Sequence, residues 1–175
     1  MMQISRTRKT ILAAVLAVSA LALSDLSYGA TKPKPTPSAT RKATQVTQNL
    51  PSVSAQAGVA PVIGKPEGAA PTTLVSKDII VGHGAQATSA SAVTAHYVLM
   101  SWKTGQIIQS SWSQGPATFP LSQVIPGWQQ GIPGMKVGGR RLLVIPPALA
   151  YGPNGSGPIG PNETLLFVVD LTGVK

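Results

Sequence analysis

The chain contains no cysteine, which excludes disulfides, thiol nucleophiles and cysteine-held metal sites. Acid is nearly as scarce, with five Asp and Glu in 175 residues against 14 Lys and Arg. From residue 72 onward the carboxylates are Asp78, Glu163 and Asp170, far apart in the sequence, so the paired carboxylates of glycoside chemistry are not on offer. Histidine occurs twice: His83 lies in the turn Gly82-His83-Gly84, and His96 is on the outer face of a predicted strand. Neither belongs to a ligand or base set. There is no G-x-S-x-G elbow and no H-E-x-x-H helix. The run "GSGPIG" (155–160) matches a dinucleotide fingerprint in form only, because no strand precedes it and Pro158 stands where the helix would begin. Any enzyme built from this chain works without a protein nucleophile, a metal or a titrating base, and no cofactor is expected.

Turn formers and apolar residues are plentiful. Eighteen glycines and 16 prolines favour turns and strands over long helices, while 43% hydrophobic residues provide for a core. The net charge is +9, but seven of the 14 basic residues (Arg6, Arg8, Lys9, Lys32, Lys34, Arg41, Lys42) precede residue 43. The rest are scattered rather than striped, which argues against a nucleic-acid partner. Arg6, Arg8 and Lys9 precede an apolar run, Ile11 to Leu23, and small residues follow at Ser27-Tyr28-Gly29. This is the pattern of an export signal over residues 1–29, with a run shorter than the roughly 20 residues needed to span a bilayer. Residues 30–55, rich in Pro, Ser, Thr and Lys, are predicted to be a flexible linker. Its positive charge suits an anionic cell envelope, and the expected location is exported, secreted or envelope-associated. Residues 56–73 read as an extended lead-in to a domain over 74–175.

That domain is predicted to be α+β, with an antiparallel sheet wrapped on one short helix. In "SAVTAHYVLMSW", Val93, Ala95, Tyr97 and Leu99 share one face, which points to a strand with that face towards a core. Further strands are predicted after Gln106, over "RRLLVIPP" and over "ETLLFVVDLTGV". Only "VIPGWQQGI" has helical spacing, with Ile125, Trp128 and Ile132 on one side and Pro126 in the first turn. Arg140 and Arg141 read as solvent-facing strand residues. Tyr28 aside, there are seven aromatics. Five of them (Tyr97, Phe119, Trp128, Tyr151 and Phe167) fall on segments that surround one core. They allow either ordinary core packing or a dry aromatic pocket.

The segments "TFPLSQVIPGWQQGIPGMKVGGRRLLVIPPALAYG" and "NETLLFVVDL" closely resemble the FKBP-type peptidyl-prolyl cis-trans isomerases, and the similarity runs from about Leu74 to Val174. The layout of signal, linker and domain resembles secreted bacterial members. The resemblance implies a half barrel folded round a short helix, with a proline pocket between them. Trp128 would be the floor and Tyr97, Phe119 and Phe167 the walls. Val124 and Ile125 would line the pocket, with the Ile125 N–H available to a substrate carbonyl. Tyr151 would offer its hydroxyl, and Ile159 would close the mouth. The resemblance also implies proline-containing polypeptides as substrates and macrolides as a ligand class; nothing in the sequence argues for an oligomer, and a monomer is expected.

The chain departs from the family pattern at four places. Ile108-Gln109-Ser110-Ser111 replaces "FDSS", Ala117 stands where many members have an aromatic, Ser122 replaces a glycine, and Ile159-Gly160-Pro161 replaces "IPP". Ile108 keeps the site apolar, and Gln109 still donates and accepts hydrogen bonds. Two readings stay open: an isomerase assisting exported proteins, or a holder of proline segments in the same fold with weakened catalysis.

Overall fold

The computed structural model describes residues 49–175. The export signal and the linker up to residue 48 lie outside the described residues. The elements are β1 (Val75–Ile80), β2 (Ala92–Ser101), β3 (Ile107–Ser110), β4 (Ala117–Pro120), α1 (Pro126–Gly131), β5 (Arg140–Ile145) and β6 (Leu165–Val174). All pairings are antiparallel. The sheet runs β1-β5-β6-β2-β3, with β4 also pairing β2. This is the α+β architecture anticipated from the sequence. Residues 117–120 form a strand that the sequence reading did not delimit, a four-residue run too short to show a period.

The two ten-residue strands β2 and β6 form the centre. Their register sets Leu99 opposite Phe167 and Tyr97 opposite Val169, so one face of both strands feeds the same core. Val93, Ala95, Tyr97 and Leu99 are sealed from solvent, as are Leu143, Ile145 and Phe167. Helix α1 packs on this face with Pro126 in its first turn and no side-chain cap. Gly127 and Gly131 let it lie flat. A Cβ added at Gly127 would come 2.4 Å from Ile145 Cγ2, and one at Gly131 would come 2.7 Å from Leu143 Cδ2.

The opposite face is apolar as well. Met100, Trp102, Leu142, Val144, Leu166 and Val168 are buried there beneath Leu50, Val53, Ile63 and Ala70 of the lead-in. The lead-in doubles back on itself: Val53 bridges Ile63, Ser54 N–H donates to Val62 O at 3.0 Å, and Gly64 N–H donates to Ser52 O at 2.8 Å. Gly58, at φ 76°, turns between them. The composition-based linker therefore extends too far, because residues 50–55 belong to this packed strap. Their apolar content is small, but the sheet beneath them supplies the partners.

The strap also corrects the reading of Arg140. Its side chain is 0% exposed. Its Nε donates to Asp170 at 2.6 Å, and its terminal nitrogens donate to Asp170, Ser54 O and Val59 O at 2.6–2.8 Å. Arg141 does not face open solvent either. It pairs with Asp78 at 2.6 Å and donates to Gly131 O at 2.7 Å, tying β5 to β1 and to the end of α1. Strand alternation sends the two side chains to opposite faces, so the reading of both as solvent-facing was wrong, and nothing in the local sequence revealed the covering layer that buries the first.

Candidate functional site

Trp128 stands on α1 because a two-turn helix can present one large side chain to the sheet and little else. Its ring is 5.5 Å from Phe167, 5.7 Å from Phe119 and 6.0 Å from Tyr97, at interplanar angles of 81–84°. Tyr97 in turn stands 6.1 Å from Phe119 and 6.4 Å from Phe167. Edge-to-face aromatics at such separations are held by ring quadrupoles as well as by burial. Three strands and the helix thus converge on one aromatic cage. Val124, Ile125 and Ile159 are buried in the same cluster, and Ile108 and Tyr151 pack against it half-buried. Gln109 is half-buried on β3 beside Ile108.

The cage is apolar except for hydrogens without an acceptor. Among the described residues, Tyr97 Oη, Tyr151 Oη and Trp128 Nε1 are buried with no hydrogen-bond partner. Buried polar groups are normally paired, so three orphans in one cluster are unusual. The Ile125 N–H, at the N-cap of α1, likewise donates to no described residue. Burial pushes the Tyr97 hydroxyl up to about 12. Tyr151 is raised further, first by burial and then by its proximity to Tyr97. Both remain neutral donors at any physiological pH.

Ile159 owes its position to a tight loop. Ser156 and Ile159 form a bridge, and Gly155, at φ 66°, lies so close beneath that a Cβ there would be 2.3 Å from Ile159 O. Glu163 holds the far side of the loop, accepting from Gly160 N–H at 2.8 Å and from the Ser101 hydroxyl. The other two tryptophans serve elsewhere. Trp102 covers the outer sheet face. Trp112 stacks on His96 with ring centres 4.1 Å apart, and His96 Nδ1 bonds Ser111 at 3.1 Å. Among the described residues no three His, Asp or Glu side chains converge as metal ligands.

The structure therefore brings nine of the ten residues singled out in sequence into one core cluster, and places Gln109 beside Ile108 on β3. Sequence reasoning missed the Glu163 tether, since a lone carboxylate before a strand carries no local signal. It also missed a cleft of about 870 Å3 that adjoins the cage at Ile108.

Comparison with known proteins gives the fold a family. The profile of the family described as FKBP-type peptidyl-prolyl cis-trans isomerase matches residues 84–172. A probable FK506-binding protein of Corynebacterium glutamicum is 54% identical over 112 residues, covering 63% of this chain and 95% of the relative. An FK506-binding protein of Streptomyces anulatus is 48% identical over 119 residues, covering 65% of this chain and 96% of the relative. Among solved structures, FkpA from Escherichia coli superposes with a TM-score of 0.55 at 39% identity, over 58% of this chain and 48% of that one. With its antiparallel sheet, the one α-helix among its described residues and its aromatic cage, this chain belongs to the FKBP-type peptidyl-prolyl cis-trans isomerases.

Proposed function

We propose that the aromatic cage is the proline-binding site and that this isomerase acts on exported polypeptides. The observation that carries the reading is the edge-to-face ring set round Trp128 together with buried donors that have no protein acceptor. Rotation about an X-Pro bond breaks amide resonance but no covalent bond, and its barrier is about 18–20 kcal/mol. A dry pocket disfavours the planar, more polar amide, and donors placed for the twisted form lower the barrier selectively. In this site Trp128 is the floor under the proline ring, Tyr97, Phe119 and Phe167 are the walls, and Val124 and Ile125 complete the lining. The Ile125 N–H and the Tyr151 hydroxyl bond the carbonyls that flank the rotating bond, while Ile159 closes the mouth. Ile108 and Gln109 form the rim. Export is supported by the charged and apolar pattern of residues 1–29, and macrolides of the FK506 class are the small-molecule ligands to test against the same cage.

The test is cis-trans exchange of a proline tetrapeptide measured by NMR with the full chain. We expect exchange to accelerate with wild type, and kcat/KM to fall by roughly 5- to 30-fold in Tyr151→Phe, the range for one lost hydrogen bond to a reacting group. Unchanged exchange in Tyr151→Phe and Trp128→Ala variants that retain the fold would place the active site elsewhere.

A further inference from the structure

We infer that the polypeptide flanking the bound proline pairs along the open edge of β3 and continues into the adjoining cleft. The isomerase would then select extended substrates beyond the proline itself. The inference rests on the cage being the proline site and adds to it a second binding surface.

Among the described residues the sheet has three free edges, and two of them are guarded. β1 carries Lys77 and Asp78 on exposed positions, and β4 ends in Pro120. β3, by contrast, reads Ile-Ile-Gln-Ser and lies at the end of the strand order with no charge and no proline. Charge, proline, a bulge, short length or cover are the usual means of keeping a sheet edge from pairing with other chains. β3 carries neither charge nor proline, although it is four residues long and bears one bulge. Among the described residues, Ile107, Ile108 and Ser110 make no backbone hydrogen bond except to β2. Ile107 is one of four large apolar side chains left exposed among the described residues, at 57%. A bulge between the Leu99 and Met100 pairings disturbs the register there.

The position of this edge indicates its occupant. Ile108 both packs against the aromatic cage and lines the 870 Å3 cleft. Ile107, Trp102, Lys103, Pro158 and Pro161 continue the cleft between the turn after β2 and the loop that carries Ile159. A chain leaving the cage past Ile108 thus meets the outer edge of β3, where Ile107, Ile108 and Ser110 pair only with β2, and then a groove of mixed polarity. An added strand satisfies both, since its backbone pairs with β3 while alternate side chains face Ile107 and the groove. Within this lining the Glu163 carboxylate is already engaged by Ser101 and Gly160, whereas Lys103 is exposed. The flanking segment is therefore neutral or acidic rather than basic.

The experiment uses the full chain with a proline tetrapeptide and the same peptide extended by four residues on its amino or its carboxyl side. One extension is expected to lower KM at least three-fold. Ile107→Lys should abolish that gain while leaving the tetrapeptide's kcat/KM unchanged, and N-methylation of alternate amides in the extension should abolish it as well. Circular dichroism confirms the fold, and Ile107→Ser replaces the lysine variant if folding is impaired. Equal KM values for all three peptides, or a gain that survives either change, overturns the inference. If even the tetrapeptide is not turned over, the pocket reading fails separately. Anisotropy of the labelled extended peptides then decides the groove, with binding weakened by Ile107→Lys expected and unaltered or absent binding contradicting it.

Discussion

Arg140 carries a full charge where no solvent reaches it, and both oxygens of Asp170 together with two carbonyls of the strap absorb its donors. Removing one partner of such a pair leaves the other charge buried and uncompensated, which costs about 3–5 kcal/mol. Arg140→Met should therefore destabilise by that order in urea unfolding, and adding Asp170→Leu should recover part of the loss. The tyrosines set a different dependence. Tyr97 ionises near 10 when unfolded and at about 12 when folded. Its folded value is the higher one, so its contribution is complete below pH 10 and is lost between pH 10 and 12 as the unfolded chain gives up the proton first. Unfolding at stepped pH should show that decline, and Tyr97→Phe should reduce it to the part that the raised hydroxyl of Tyr151 contributes. Of these residues, Trp128 and the tyrosines were legible because rings on predicted segments converge on one core. The charge on Arg140 was not, because strand alternation fixes a side chain's face but not what lies over it.

At the scale of elements, α1 depends on glycine for its seat. Gly127→Ala would drive a Cβ to 2.4 Å from Ile145, itself fully buried. Overpacking of this kind costs about 1–3 kcal/mol, so the variant should unfold at lower urea. If the helix tilts in response, it should also lose isomerase activity out of proportion to that change. The strap covers six buried apolar side chains of the outer sheet face. A chain beginning at residue 74 should lose at least 10 °C in Tm and should associate as concentration rises, as large exposed apolar patches do. The helix and strands β2, β3, β5 and β6 were legible from period and turn residues. β4 and the strap were not, since each is a short or weakly apolar run whose structure comes from the partner it lies against.

For the whole molecule, charge divides between residues 1–48 and the described residues 49–175. Residues 49–175 hold seven basic and four acidic side chains, and the remaining seven basic residues precede them. Envelope attraction, if it resides in the leading segment, should then be separable from catalysis. Deleting residues 30–48 is expected to abolish binding to anionic vesicles at low salt and to leave proline isomerisation unchanged. Unaltered vesicle binding would move the attraction to the folded part. The departures Ile108 and Gln109 bear on how fast the whole machine works. Ile108→Phe with Gln109→Asp is expected to raise kcat/KM by restoring a ring and a carboxylate at the rim.

Refolding of a protein limited by a trans-to-cis proline step tests the aromatic cage most directly. With the full chain added at rising concentration, refolding should accelerate in proportion, and the acceleration should vanish in the folded double variant Trp128→Ala, Tyr151→Phe. Acceleration that persists in that variant, or none with wild type while a proline peptide still binds, would contradict a catalytic cage at Trp128.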